Sequence, residues 1–252
     1  MKIHQILFSP TGGTRRVSEI LCQGMGKESV VTDLCVKTAD IQLPNINKDD
    51  LAVISMPVFA GRVPALAVER LRMVKPNGAK CVVVAVFGNR AYDDALLEIQ
   101  DVTSEMGFRV IAAVGAVAEH SIIRRYGNGR PDAVDEQTLR RFGADILGKA
   151  EGSVCTLPAI PGNRPYKKGG KVPHPKGRRG CKRCGVCASQ CPTDAIPFSD
   201  PKKVDASKCI SCMRCVSACP TGARSIGAVM TFLATQGLKK VCATRKENEL
   251  YL

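Results

Sequence analysis

The sequence predicts an α/β protein: a doubly wound, five-stranded parallel sheet followed by a small cysteine-rich α+β domain. Three observations carry this. Over residues 1–152, short apolar runs alternate with segments whose apolar residues recur at helical spacing. The alternation then stops in a stretch rich in Pro, Gly and basic residues. Beyond it, two copies of one cysteine pattern follow each other 28 residues apart.

The strands are expected at residues 3–8, 30–34, 51–56, 81–87 and 108–117, where apolar residues run almost unbroken. Strands of that kind are buried on both faces, and parallel neighbours need crossover helices. Helices are expected between them. Val17, Ile20, Leu21 and Gly24 share one face, Leu96, Ile99, Val102 and Met106 a second, and Val134, Thr138, Phe142 and Ile146 a third. The first apolar run is interrupted by His4 and Gln5 and lacks a small-residue cleavage site, so it reads as a strand rather than a signal peptide.

Residues 153–180 read as a linker, punctuated by Pro158, Pro161, Pro165, Pro173 and Pro175. Nine Lys or Arg and no acidic residue lie between Arg164 and Arg183. Two readings stand for this run, a solvated arm lying along the surface and a docking site for an acidic partner. The small domain is expected over 181–226. A short apolar helix over 228–238 and a mixed-charge tail complete 227–252.

Composition narrows the function. Of 252 residues, 44% are apolar and 24% charged, which excludes disorder of the whole chain. No window approaches the roughly 18 to 20 apolar residues of a membrane span. The expectation is a protein of a reducing, cytoplasmic compartment, where thirteen cysteines, eight of them clustered in two motifs, point to metal rather than disulfides.

Both cysteine copies read C-x2-C-x2-C-x3-C-P, the spacing that ligates [4Fe-4S] clusters in bacterial ferredoxins. Three thiolates of a tight turn cap three corners of one cube, and the fourth closes the other. One cluster is therefore expected on Cys181, Cys184, Cys187 and Cys219, the second on Cys209, Cys212, Cys215 and Cys191. The Pro after each fourth cysteine restricts the backbone preceding it. A pair of zinc sites is the alternative, but zinc ribbons do not need a triple followed by a fourth cysteine and proline. At these residues the chain resembles the dicluster bacterial-type ferredoxin domain. Cys22, Cys35, Cys81, Cys155 and Cys242 lie outside the motif, and Cys22 and Cys81 read as buried structural thiols.

The first strand runs into Ser9-Pro10-Thr11-Gly12-Gly13-Thr14 and then a helix, so hydroxyls, glycines and a helix N-terminus converge as a phosphate cradle. Neither a Walker motif nor a dinucleotide fingerprint is present. The loop resembles the flavodoxin FMN-phosphate loop at Ser9, Thr11, Gly12 and Thr14. Ligands of open parallel sheets bind at carboxyl ends of strands, which here carry Pro57, Val58, Phe59, Ala60 and Gly61 on one loop and Gly88, Asn89, Arg90 and Tyr92 on another. The resemblance implies that these two loops hold the isoalloxazine ring of FMN, with Phe59 and Tyr92 against its faces. Ordinary loop aromatics covering strand ends are the alternative.

The whole chain resembles flavodoxin-ferredoxin fusion proteins. Besides the stretches above, Ala118-Glu119-His120-Ser121, Gly129-Arg130-Pro131-Asp132 and Arg245-Lys246-Glu247-Asn248-Glu249-Leu250 carry the resemblance. It implies FMN and two [4Fe-4S] clusters in one chain. His120 sits where it would manage a proton or hold its loop, and no catalytic residue is assigned. Arg124, Arg125 and Arg130 face solvent, a partner or the flavin phosphate.

FMN exchanges electrons in pairs or singly and a cube exchanges one, so the expected function is electron transfer that couples the two kinds of carrier. The alternative is an FMN-dependent reductase of a small molecule, fed through the clusters. The formal charge of +14, reduced to about +8 by two clusters and one phosphate, favours acidic ferredoxin- or flavodoxin-type protein partners. A nucleic-acid binder is a third reading without a recognition motif, and no nucleic-acid partner is expected.

Overall fold

The computed structural model describes residues 1–152, 156–170 and 172–252. Cys155, which the sequence places at the start of the linker, lies outside them. The elements run β1 (Ile3–Leu7), α1 (Gly13–Gly24), β2 (Ser29–Asp33), β3 (Leu51–Pro57), α2 (Ala65–Leu71), β4 (Lys80–Phe87), α3 (Ala95–Met106), β5 (Arg109–Val117) and α4 (Ala133–Glu151). They continue with β6 (Lys176–Gly177), α5 (Val186–Ser189), α6 (Arg214–Ser217), β7 (Arg224–Ser225), α7 (Ala228–Leu238) and β8 (Glu249–Tyr251).

The five expected strands are present and parallel, in the order β2-β1-β3-β4-β5. This is the flavodoxin-like doubly wound order, whose switch point lies between β1 and β3. The sequence did not reveal a sixth strand: β8 pairs antiparallel with β5, Leu250 opposite Val114. Asn248 secures it by accepting the Val117 N–H at 2.9 Å. Antiparallel addition at an edge needs only a returning tail, not a crossover helix.

Two apolar layers cover the sheet. Ala67, Leu71, Leu96, Ile99 and Val102 of α2 and α3 pack on one face with Ile54 and Val83. Val17, Ile20 and Leu21 of α1, with Leu139, Phe142 and Ile146 of α4, cover the other. α1 and α4 cross at Gly24 and Gly143, where a Cβ would stand about 2 Å from a carbonyl oxygen of the facing helix. The buried face of α4 is rotated from the expected one. Val134 is 61% exposed, because the helix turns Asp135 inward to meet buried Arg130. His4 and Gln5 do not break β1, since Asp50 receives His4 Nε2 and Gln5 bonds Ser29 and Ser18.

The first part of the basic arm lies along α3 and is paired there through Arg164 and Lys167, whereas Arg178, Arg179, Lys182 and Arg183 are exposed. Asp94 accepts the Asn163 and Lys167 N–H groups, Asp101 takes Arg164 and Tyr166, and the Arg62 guanidinium sits 4.7 Å from the Tyr166 ring centre. The Lys167 N–H beside Asp94 holds its carboxyl below the ordinary carboxylate range, as does the Arg164 guanidinium at Asp101. Groups lowered by folding stabilise the folded state at full strength above the ordinary value and lose that effect as pH falls through the lowered one. The Asn163 and Lys167 amides are therefore expected to lose hydrogen-exchange protection selectively as pH falls below the ordinary carboxylate range. Equal protection through that fall removes Asp94 as their anchor.

Candidate functional site

The loops after β1, β3, β4 and β5 gather at the carboxyl edge of the sheet. After β1 the chain turns through Ser9–Thr14 into α1, whose N-cap Gly12 has no side-chain cap. Ser9 is buried, and its Oγ accepts the Arg15 N–H at 2.9 Å. Its hydroxyl hydrogen stays available to an acceptor, as do those of Thr11 and Thr14. Pro10, Thr11, Gly13 and Thr14 line a cleft that continues along Pro57, Val58, Phe59 and Gly88 to Ser121 and Cys212.

After β3, Phe59 and Arg62 exchange backbone hydrogen bonds across Ala60 and Gly61, both at positive φ, a primed hairpin turn. At Gly61 a Cβ would stand 2.2 Å from Asp93 Oδ2, so this glycine brings the β3 and β4 loops together. Val58, Phe59, Ala60, Gly61, Gly88 and Arg90 line a cavity of about 730 Å³, closed on other sides by His120, Ile122, His174, Cys209, Ile210 and Leu238. The volume is within the range of small-molecule and cofactor sites.

Two expected site residues face elsewhere. Tyr92 lines neither space: it is 9% exposed, meets Phe87 edge-on at 5.4 Å and turns its hydroxyl to Glu249 and Tyr251 of β8. Asn89 donates to the Cys242 and Thr244 carbonyls and accepts the Lys246 N–H. Both tie the tail to the β4 loop. Arg130 is likewise interior, forked onto Asp135, whereas Arg124 and Arg125 are exposed. His120 Nδ1 accepts the Ile122 and Ile123 N–H groups. That fixes its remaining proton on Nε2, and burial pushes its pKa down. The loop-holding role is thus built into its hydrogen bonds.

The cysteines form two sets. Cys181, Cys184, Cys187 and Cys219 line one cleft together. Cys191, Cys209, Cys212 and Cys215 lie near enough to act on one another's ionisation. Burial pushes Cys215 up to about 11 and Cys212 higher, so metal must displace protons to bind there. All cysteines among the described residues are free. Among those residues, no three His, Cys, Asp or Glu converge on the position of one ion. Four thiols around one cleft supply the donor set that a [4Fe-4S] cube takes. Outside the sets, burial raises Cys22 and Cys35 to about 12 and Cys81 further, which makes them inert.

Sequence reasoning missed two arginines beside these sets. Arg70 of α2 is 2% exposed and donates to the carbonyls of Leu34, Val36 and Pro192 and to Thr38 Oγ1. Arg224 of β7 is 3% exposed and reaches Cys187 Sγ at 3.7 Å. Neither pairs with a carboxylate among the described residues. No sequence signal marked either one, since Arg70 stands beside Glu69 like a surface pair.

Residues 180–194 and 202–225 each match a family model described as a 4Fe-4S binding domain. The chain has a flavodoxin-like fold over its parallel sheet, followed by segments that match 4Fe-4S binding domains. Its flavodoxin-like part is assigned by strand order and parallel register. Among solved structures, a flavodoxin from the domain Archaea is 19% identical, covering 60% of this chain and 100% of its own, with a TM-score of 0.45. The Streptococcus pneumonia TIGR4 flavodoxin is 16% identical over 59% of this chain and 99% of its own, TM-score 0.41. The rubredoxin oxygen:oxidoreductase of Desulfovibrio gigas is 13% identical over 60% of this chain and 37% of its own, TM-score 0.41. No curated protein matches the sequence. No helix among the described residues is long and apolar enough to cross a membrane.

Proposed function

We propose that this flavodoxin-like and ferredoxin-type chain holds one FMN and two [4Fe-4S] clusters and passes electrons between them. The observation that supports it best is that the two halves open onto the same space. Cys209 lines the large cavity with Phe59 and Gly88, and Cys212 lines the cleft that begins at Thr11 and Thr14. When bound, FMN supplies exchange of electrons singly or in pairs and each cluster supplies one-electron exchange.

The chain's own residues divide the work. Ser9, Thr11 and Thr14, with the N–H groups opening α1, hold the phosphate. Phe59 lies along the ring site and Arg90 contributes positive charge beside it, while the Nε2–H of His120 borders the same cavity. Cys209, Cys212, Cys215 and Cys191 hold the inner cluster, next to the flavin. Cys181, Cys184, Cys187 and Cys219 hold the outer one. Cys184 is exposed, as are Arg178, Arg179, Lys182 and Arg183 around it, a surface suited to an acidic redox protein. The functional units are 1–152 for the flavin, 153–180 as a linker, 181–226 for the clusters, and 227–252 as a closing helix and tail, in a cytoplasmic protein.

The size of the cavity favours a second reading, an FMN-dependent reductase with room for a small acceptor beside the ring. Steady turnover of one compound by the isolated protein would establish it.

Anaerobic purification followed by metal, sulfide and flavin analysis tests the reading. The expected content is about eight iron, about eight sulfide and one FMN per chain. Cys212→Ser is expected to halve the iron while the outer cluster survives. Zinc without sulfide overturns the proposal.

A further inference from the structure

We propose that Arg224 is a charge bridge between the two iron-sulfur sites and raises the reduction potential of both. The inference rests on the two-cluster reading above and starts from an electrostatic imbalance. The Arg224 side chain is almost fully buried, yet among the described residues it has no carboxylate partner. Its Nη1 bonds the Pro201 carbonyl and Cys187 Sγ, its Nη2 the Pro175 and Lys203 carbonyls. Its Nε–H is buried without an acceptor. A guanidinium cannot shed its charge, and burying it uncompensated is strongly unfavourable.

The compensation is in the thiol sets. Arg224 lines the cleft formed by Cys181, Cys184, Cys187 and Cys219, and Cys187, whose Sγ it meets, packs in one apolar cluster with Cys191, Cys209 and Cys215 of the other set. Each cube with four thiolates carries about −2 when oxidised. One electron takes it to about −3, with no bond made or broken. A fixed cation stabilises the more negative state more, so each cluster becomes easier to reduce. Because Arg cannot titrate, the effect does not vary with pH. The antiparallel pair β6 and β7 fixes the residue from behind, Lys176 opposite Ser225 and Gly177 opposite Arg224.

The test uses the whole chain with its clusters loaded anaerobically, comparing wild type with Arg224→Lys, Arg224→Gln and Arg224→Met. Iron and sulfide are counted first, and both cluster potentials are then followed by EPR during stepwise reduction. The neutral variants are expected to shift both midpoints negative, each reduction constant falling about tenfold, or ~59 mV for a one-electron couple. Arg224→Lys, which keeps a charge, is expected to shift less. Full cluster content with unmoved midpoints overturns the proposal, and so does a shift of one cluster alone. Failure of all three variants to hold iron overturns it too, because the arginine is then a staple for the Pro175, Pro201 and Lys203 carbonyls. Zinc without sulfide in the wild type is a separate result, which fails the two-cluster reading instead.

Discussion

Arg70→Met is expected to loosen the junction between the sheet domain and the cysteine-rich domain, costing about 3 kcal/mol, the size of one or two lost hydrogen bonds from a charged donor. The substitution keeps much of the apolar stem while removing every donor. Three carbonyls would lose their partner, those of Leu34 and Val36 on the sheet side and of Pro192 on the other. Pro192 directly follows Cys191, so slack there reaches the inner cysteine set. The variant should unfold at lower urea concentration, exchange its amides faster around residues 34–38 and 191–194, and retain less iron at the inner site. Wild-type stability with full iron would show that Arg70 does not couple the domains. Burial pushes the Arg70 pKa down, but a guanidinium stays charged at any pH the protein meets.

Asp135→Ala should be worse for stability, by roughly 3–5 kcal/mol, because it leaves a buried charge without its counter-ion. Asp135 is 1% exposed. It takes the fork of Arg130, Arg245 at 3.0 Å, Asn248 Nδ2 at 2.9 Å and the Asp132 N–H that closes the capping box of α4. Removing it frees the three groups that hold the tail against the sheet. The expected signature is loss of β8: early exchange of Leu250 and Tyr251, easy proteolysis after Arg245, and a lowered urea midpoint. Asp135→Asn keeps the shape and two lone pairs, so it should retain more of the strand than Ala. Equal behaviour of the two, which share the loss of charge, would place the effect in the charge rather than in shape and lone pairs.

What could be read from the sequence was what local pattern encodes. Apolar runs gave the parallel strands, and cysteine spacing gave a chemistry before any contact was known. The 228–238 helix was visible from its composition and coincides with α7. What could not be read depends on partners distant along the chain. Glu249–Tyr251 is too short and polar to announce a strand, and only Asn248 meeting Val117 makes it one. Arg70, Arg130 and Arg224 look like surface cations, because sequence shows a charge without the carbonyls or carboxylate that receive it. Tyr92 and Asn89 occupy the loop expected to border the ring, but the nearby tail claims their polar atoms. The α2 helix, Ala65–Leu71, is too brief for its periodicity to stand out, and Glu69 and Arg70 disguise the buried side.

The returning strand also imposes an order on synthesis. β8 closes the edge of β5, yet it is translated after both cysteine motifs. At roughly 5–20 residues per second, a ribosome needs about two to six seconds to advance from Cys219 to Glu249. During that interval the cysteines have been made and the sheet has a free edge. Completion of the sheet therefore waits until the whole cysteine-rich segment has been made.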